Sequence, residues 1–133
     1  MSDLRAALEE ALAAMTPALA TAWENMPFTP VAGTPYQRVS LLLAEPLNAE
    51  YGRTFQQGGI FQVSLMFPPG TGAAPAEARA ALLRSTFHRG ATFTKNGLNV
   101  VIARTPGIMP AMNDDDGRYV LPVSIPILAN FQN

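Results

Sequence analysis

Cysteine is absent from this 133-residue chain. That excludes a disulfide framework, thiolate metal sites and thiol catalysis. Histidine occurs once, at His88, and the Gly-x-Ser-x-Gly turn of an activated serine does not occur. His88 stands beside Arg89 near the end of an expected helix, where a solvated, dipole-complementing role is the simplest reading. Charge is scarce too: Asp, Glu, Lys and Arg make up 14% of residues, against about 25% in ordinary soluble domains. With a net charge of -1 and a pI near 5.7, no basic field exists to hold nucleic-acid phosphates. No apolar run approaches the ~18 residues that span a membrane. The first residues carry Asp3, Glu9 and Glu10 instead of the basic start of a signal peptide. A soluble protein, intracellular when made, is expected.

Apolar residues stand at an ordinary 48%, so the surface must be polar-neutral and rich in its 12 prolines and 10 glycines. Such a surface costs little to desolvate against another protein, and interface cores are depleted of charge. An assembling subunit is the inference. The length suits one domain, residues 1–133, with one core.

Leu4, Leu8, Leu12 and Met15, with Ala7 and Ala11, form an apolar stripe at helical spacing, and Pro17 should end that helix. "ALATAWEN" reads as a short strand carrying Trp23, followed by the Pro/Gly-punctuated loop 26–35. In "YQRVSLLLAE", Val39, Leu41 and Leu43 fall on one face of a strand, with Arg38 and Ser40 on the other. "PLNAEYGRTFQQGG" is a polar loop, or a hairpin tip if residues 53–57 extend the next strand. In "GIFQVSLMF", Phe61, Val63, Leu65 and Phe67 alternate with Gln62, Ser64 and Met66. Pro75 suits the first turn of a second helix running to about Phe87, with Gly90 closing it. Asn96-Gly97 marks a tight hairpin.

The last strand, "RYVLPVSIPIL", alternates Tyr119, Leu121, Val123, Ile125 and Ile127 on one face. Pro122 and Pro126, four apart, place both missing N–H groups on one side, which points to a sheet edge. The expected fold is α+β, in the order α-β-β-β-α-β-β-β. It has a single mostly antiparallel sheet, two helices packed on one face, and its last strand at an edge.

Two motifs invite ligands and fail. "FPPGTGAAP" looks like a phosphate loop between strand and helix, but Gly72 is followed by Ala73 and Ala74, where Lys and Ser/Thr are required. A dinucleotide fingerprint fails at Pro75. Those glycines make a turn. Aligning Gly117 with the glycine of a calcium loop puts Met112 and Val123 at the first and twelfth positions, where acids are required. Asp114, Asp115 and Asp116 then read as a solvated turn. No cofactor, no metal and no catalytic constellation is expected, hence no enzyme. What remains is apolar side chains in loops, Phe28 and Val31 in one and Ile108, Met109 and Met112 in another. They are equally suited to burial in the domain's own core and to a protein interface.

The segments "NMPFTPVAGTPYQRVSLL", "GGIFQVSLMFPPGTG" and "GRYVLPVSIPI", in that order along most of the chain, resemble the phage tail terminator-like proteins. The resemblance implies a virion subunit that caps the tail tube as a six-fold ring, halts tube polymerisation and forms the surface for head joining. Its implied partners are further copies of itself, the tail tube protein and a head-completion or connector protein. DNA would pass through without specific binding, and no membrane is involved. The implied place is the head-proximal end of the tail, after assembly in the host cytoplasm. On this reading Phe28, Val31, Ile108, Met109 and Met112 serve assembly, while Asp114, Asp115, Asp116 and the loop from Glu45 to Glu50 face the channel and repel phosphates. The alternatives are another neck subunit, or a small-ligand module with a pocket between sheet and helices.

Overall fold

The computed structural model describes residues 2–16, 18–48, 54–115 and 117–132. Helix α1, Ser2–Ala13, is followed by strands β1, Ala20–Ala22, β2, Tyr36–Leu43, and β3, Thr54–Phe67. Helix α2, Ala74–Thr86, leads into β4, Thr92–Lys95, and β5, Leu98–Ile102. Two short strands follow, β6, Gly107–Ile108, and β7, Met112–Asn113, before the long β8, Tyr119–Gln132. The strands form one eight-stranded sheet in the order β1-β2-β3-β8-β5-β4, with β6 and β7 also pairing β8.

The α+β class is as expected, but three features of the expected arrangement are corrected. The sheet is mixed, because β1 runs parallel to β2 while the other pairs are antiparallel. A parallel neighbour needs a return connection of a dozen or more residues, and residues 23–35 supply it. Five strands instead of three follow α2, since the expected loop before the last strand contributes β6 and β7.

The last strand, moreover, is interior. β8 pairs β3 along its whole length from Tyr119 to Gln132. Its other side is served in instalments, Tyr119 and Val120 by β7, Val123 and Ser124 by β6, and Ile127 to Ala129 by β5. Pro122 and Pro126 stand at the two gaps. Their carbonyls still accept N–H bonds from Met109 and Ala103, both at 2.9 Å. Both missing donors do face one side, and that side is paired wherever a proline does not interrupt it.

Alternation places the core. Val39, Leu41, Phe61, Val63, Leu65, Leu121, Val123, Ile125 and Ile127 are buried on one face of the sheet. Leu4, Leu8 and Leu12 of α1 and Ala76, Ala80 and Leu83 of α2 join them in one cluster. The far end of the β4–β5 hairpin turns at Asn96 and Gly97, with φ of 51° and 83°, as a tight primed turn requires. It is tied to α1 by Lys95 Nζ to Glu10 (3.1 Å) and by Asn96 Nδ2 donating to Asp3 Oδ1 (3.0 Å). The expected stop of α1 at Pro17 concerns a residue outside those described; the helix itself ends at Ala13.

Glu24 finishes the outer edge of β2, where β1 has run out. Its Oε1 accepts the Leu41 N–H at 3.0 Å and Arg5 Nη1 from α1 at 2.8 Å. The Arg5 hydrogen bond first, then the Leu41 bond, holds the Glu24 carboxyl below its ordinary value. A depressed folded value means stability that is fully present above the unfolded carboxylate range and is lost as pH falls through the folded value. Glu24→Gln should therefore flatten the decline of the urea midpoint between about pH 5 and pH 3. The effect is modest because the site is partly exposed. An acid slope identical to that of the parent protein would refute the assignment.

Candidate assembly surfaces

The helices cover one face of the sheet, and the opposite face carries its own surfaces. At one end Tyr36, Met66 and Val120 are cross-strand partners in a single row. With Ala22 they form a second buried cluster. Phe28 closes it from the loop above, its ring 4.9 Å from that of Tyr36. Of the five apolar loop residues, Phe28 thus turns inward, whereas Val31, Ile108, Met109 and Met112 are exposed.

The loop 26–35 is held by Arg118. Its guanidinium donates to Thr34 O (3.0 Å, Nη1) and Val31 O (2.9 Å, Nη2) and lies 5.0 Å from the Tyr36 ring centroid. The residue is buried, at 7% exposure, so the cation–π contact acts at partly desolvated strength.

Met112 extends the Tyr36–Met66–Val120 row by pairing Val120, so the exposed methionine lies on the helix-free face beside the second cluster. Asp114 is fixed between β7 and β8 by three hydrogen bonds. Asp114 Oδ1 accepts the Arg118 N–H (2.9 Å), Asp114 N–H donates to Arg118 O (3.0 Å), and Gly117 N–H donates to Asp114 O (3.0 Å). Asp114 is therefore built into the β7–β8 connection, and Asp115 is exposed. Asp116 and Glu50 lie outside the described residues, while Glu45 is exposed. Among the described residues no group of three or more acidic or histidine side chains is placed to hold a metal ion. Nor, among the described residues, is any helix long and apolar enough to cross a membrane.

The glycines of the "PPGTG" stretch serve geometry. Gly70 and Gly72 adopt φ of 80° and 77°, and Thr71 Oγ1 donates back to Pro68 O at 2.9 Å. The loop lines a shallow depression of about 330 Å³ with Asn113, Gly117 and Tyr119. It packs against the β7–β8 turn.

Three consecutive leucines in β2 mark a further surface. Leu41, Leu42 and Leu43 are consecutive in a strand, so one of them must point away from the others. Leu42 does, and it is 54% exposed. Its row runs through Ile60 to Pro126, and the next row brings Leu128 opposite Val101. An apolar corner thus lies on the helix-free face, at the end opposite Tyr36 and Met112.

These surfaces belong to a fold with known relatives. A solved structure 30% identical to this chain covers 100% of it and 98% of its own length, at a TM-score of 0.77. The chain also resembles a component of the virion of a native gene transfer agent particle, at 18% identity and a TM-score of 0.71. That match covers 98% of this chain and 96% of the other, and at such identity it speaks for the fold. Curated protein sequences include no match. The family described as phage tail terminator protein matches residues 3–126. The chain belongs to the phage tail terminator family, and its role is that of a structural protein of the virion tail.

Proposed function

We propose that copies of this chain close into a ring on the head-proximal end of the tail tube, stop further tube subunits from adding, and present the surface to which the head is joined. The observation that carries this reading is a pair of separate exposed apolar surfaces on one tail-terminator subunit. One holds Val31, Met109 and Met112, the other Leu42 and Val101. A ring built head to tail needs two different surfaces per subunit, whereas a two-fold dimer needs only one. A chain with few charges can bury both cheaply.

Termination then follows from geometry. One side of the ring matches the last layer of the tube protein, and the other side offers no equivalent of that layer, so polymerisation has nowhere to continue. Each subunit's grip on the tube can be weak, because linked copies engage together and effective concentration multiplies modest affinities. The other side of the ring is left for the head connector, and DNA passes through the centre.

Deleting the gene from its phage or prophage should yield overlong tails that lack heads, seen by negative-stain electron microscopy. Supplying the protein in trans should restore one length. Tails of normal length that fail to join heads would assign it to the neck instead. Tails of normal length that join heads would overturn the reading.

A further inference from the structure

We infer that the apolar corner at Leu42, Ile60 and Pro126 receives Met109 and Met112 of a second copy of this chain, with Arg104 of the first facing Asp115 of the second. This rests on the ring reading above and names the contact that would close it.

Leu42, Ile60 and Pro126 are cross-strand partners, so their side chains leave the sheet on the same side. They border a depression of about 440 Å³ whose one charged lining residue is Arg104. Arg104 is exposed, and among the described residues its side chain has no hydrogen bond or ion pair. An apolar depression with a cation at its rim fits an apolar segment with an acid beside it.

Residues 109–115 have that pattern. Met109 and Met112 are 49% and 59% exposed, and Asp115 stands exposed at the following turn. Flexible thioether side chains adapt to a shallow apolar surface. Opposite charges at the rim fix register and partner choice.

The two surfaces cannot meet within one molecule. Met112 is level with Val120 and Met109 with Pro122, six and four residues before Pro126 on β8, which is about 20 Å and about 13 Å at ~3.3 Å per residue. Each copy therefore offers one surface and accepts at the other, which is a head-to-tail contact. Asp115 is thereby assigned to the contact between subunits and not to a channel wall.

The chain has no cysteine of its own, so disulfide links between its copies can form only through introduced ones. Leu42→Cys and Met112→Cys alter exposed side chains, and unchanged urea midpoints would verify that each variant folds. In purified tails, oxidising the protein that carries both changes should link successive subunits into a ladder. A mixture of the two single variants should give linked pairs and nothing larger, and each single variant alone should give none. Pairs from Leu42→Cys alone would mean a two-fold contact and overturn the proposal. So would absence of links from the double variant in tails of normal length, an outcome that leaves the ring itself standing. Failure of the ring reading is seen separately, in the deletion strain. Arg104→Glu or Asp115→Lys should each lower the linked fraction about fivefold or more, and the two together should restore it. Without restoration, the Arg104–Asp115 pairing falls.

Discussion

Replacing Gly59 with alanine should cost the fold about 3 kcal/mol, while the same change at the neighbouring Gly58 should cost nothing. Both residues lie in β3, between β2 and β8. A Cβ on Gly59 would sit 2.6 Å from Leu42 O and 3.3 Å from Leu43 Cα. Both are backbone atoms of the adjoining strand, so no rotamer change can make room. β2 and β3 come this close because their ladder is bulged just beyond. Ala44 N–H donates to Gly58 O at 3.0 Å, and Leu47 then exchanges both hydrogen bonds with Gln56, each 2.8 Å. From Ala44 to Leu47 is three steps, from Gly58 to Gln56 two, so one strand carries an extra residue and bends. Gln57 fills the bend, its buried Nε2 donating to Ala44 O (2.7 Å) and Gly58 O (2.9 Å).

At Gly58 the added Cβ would meet Ile127 O at 3.8 Å and Leu128 Cδ1 at 4.0 Å. That is ordinary contact. Alanine there also restricts the unfolded chain, which favours folding by about 0.5 kcal/mol. Urea denaturation of both variants beside the parent protein checks the contrast. Equal midpoints for the two would mean that β2 and β3 separate freely at this point, which would remove the explanation of the bulge. Because Leu42 stands directly across from Ile60, a parted ladder at Gly59 should also disturb the apolar corner proposed as a docking surface.

Much of the fold was legible because its signals are local. The alternation around Phe61, the Asn96-Gly97 turn and Pro75 at the start of α2 each depend on neighbours along the chain. The place of β8 did not. Pro122 and Pro126 reveal which side lacks donors, but whether that side is empty depends on where residues 103–113 travel, and a non-local path leaves no periodic mark. Of the candidate surface residues, Met109 and Met112 were legible as apolar groups in a segment without a core face. Phe28 has the same signature and is turned inward because Tyr36 waits below it. Leu42 was legible in principle, as the odd member of three leucines in a strand. Arg118 was not. Its partners are main-chain carbonyls 84 and 87 residues away, and carbonyls are common to every residue.

Arg118 is for that reason the position where a single change should have the second large effect. Arg118→Met keeps much of the apolar stem but removes two charge-assisted bonds to carbonyls and the contact with Tyr36. Hydrogen bonds from a charged donor contribute about 1.5–3 kcal/mol each, and a partly desolvated cation–π contact adds about 1 kcal/mol. The freed carbonyls of Val31 and Thr34 can be rehydrated once the loop lifts, so the net cost should stay near 3 kcal/mol instead of reaching the full sum. Arg118→Lys should fall between, because a single ammonium cannot present the two parallel donors of the planar fork.

The readout that separates a latch from a general core residue is local. Amide exchange in residues 26–35 should accelerate in Arg118→Met under conditions where β3 and β8 remain fully protected, since loops open independently of the strands beneath them. If exchange rises equally everywhere, Arg118 supports the fold at large and holds no particular segment. If the loop alone opens, Phe28 leaves Tyr36, Val31 loses its fixed place, and the surface beside Met112 is no longer preorganised. The variant should then remain folded at 25 °C and yet restore tail length poorly when supplied to the deletion strain.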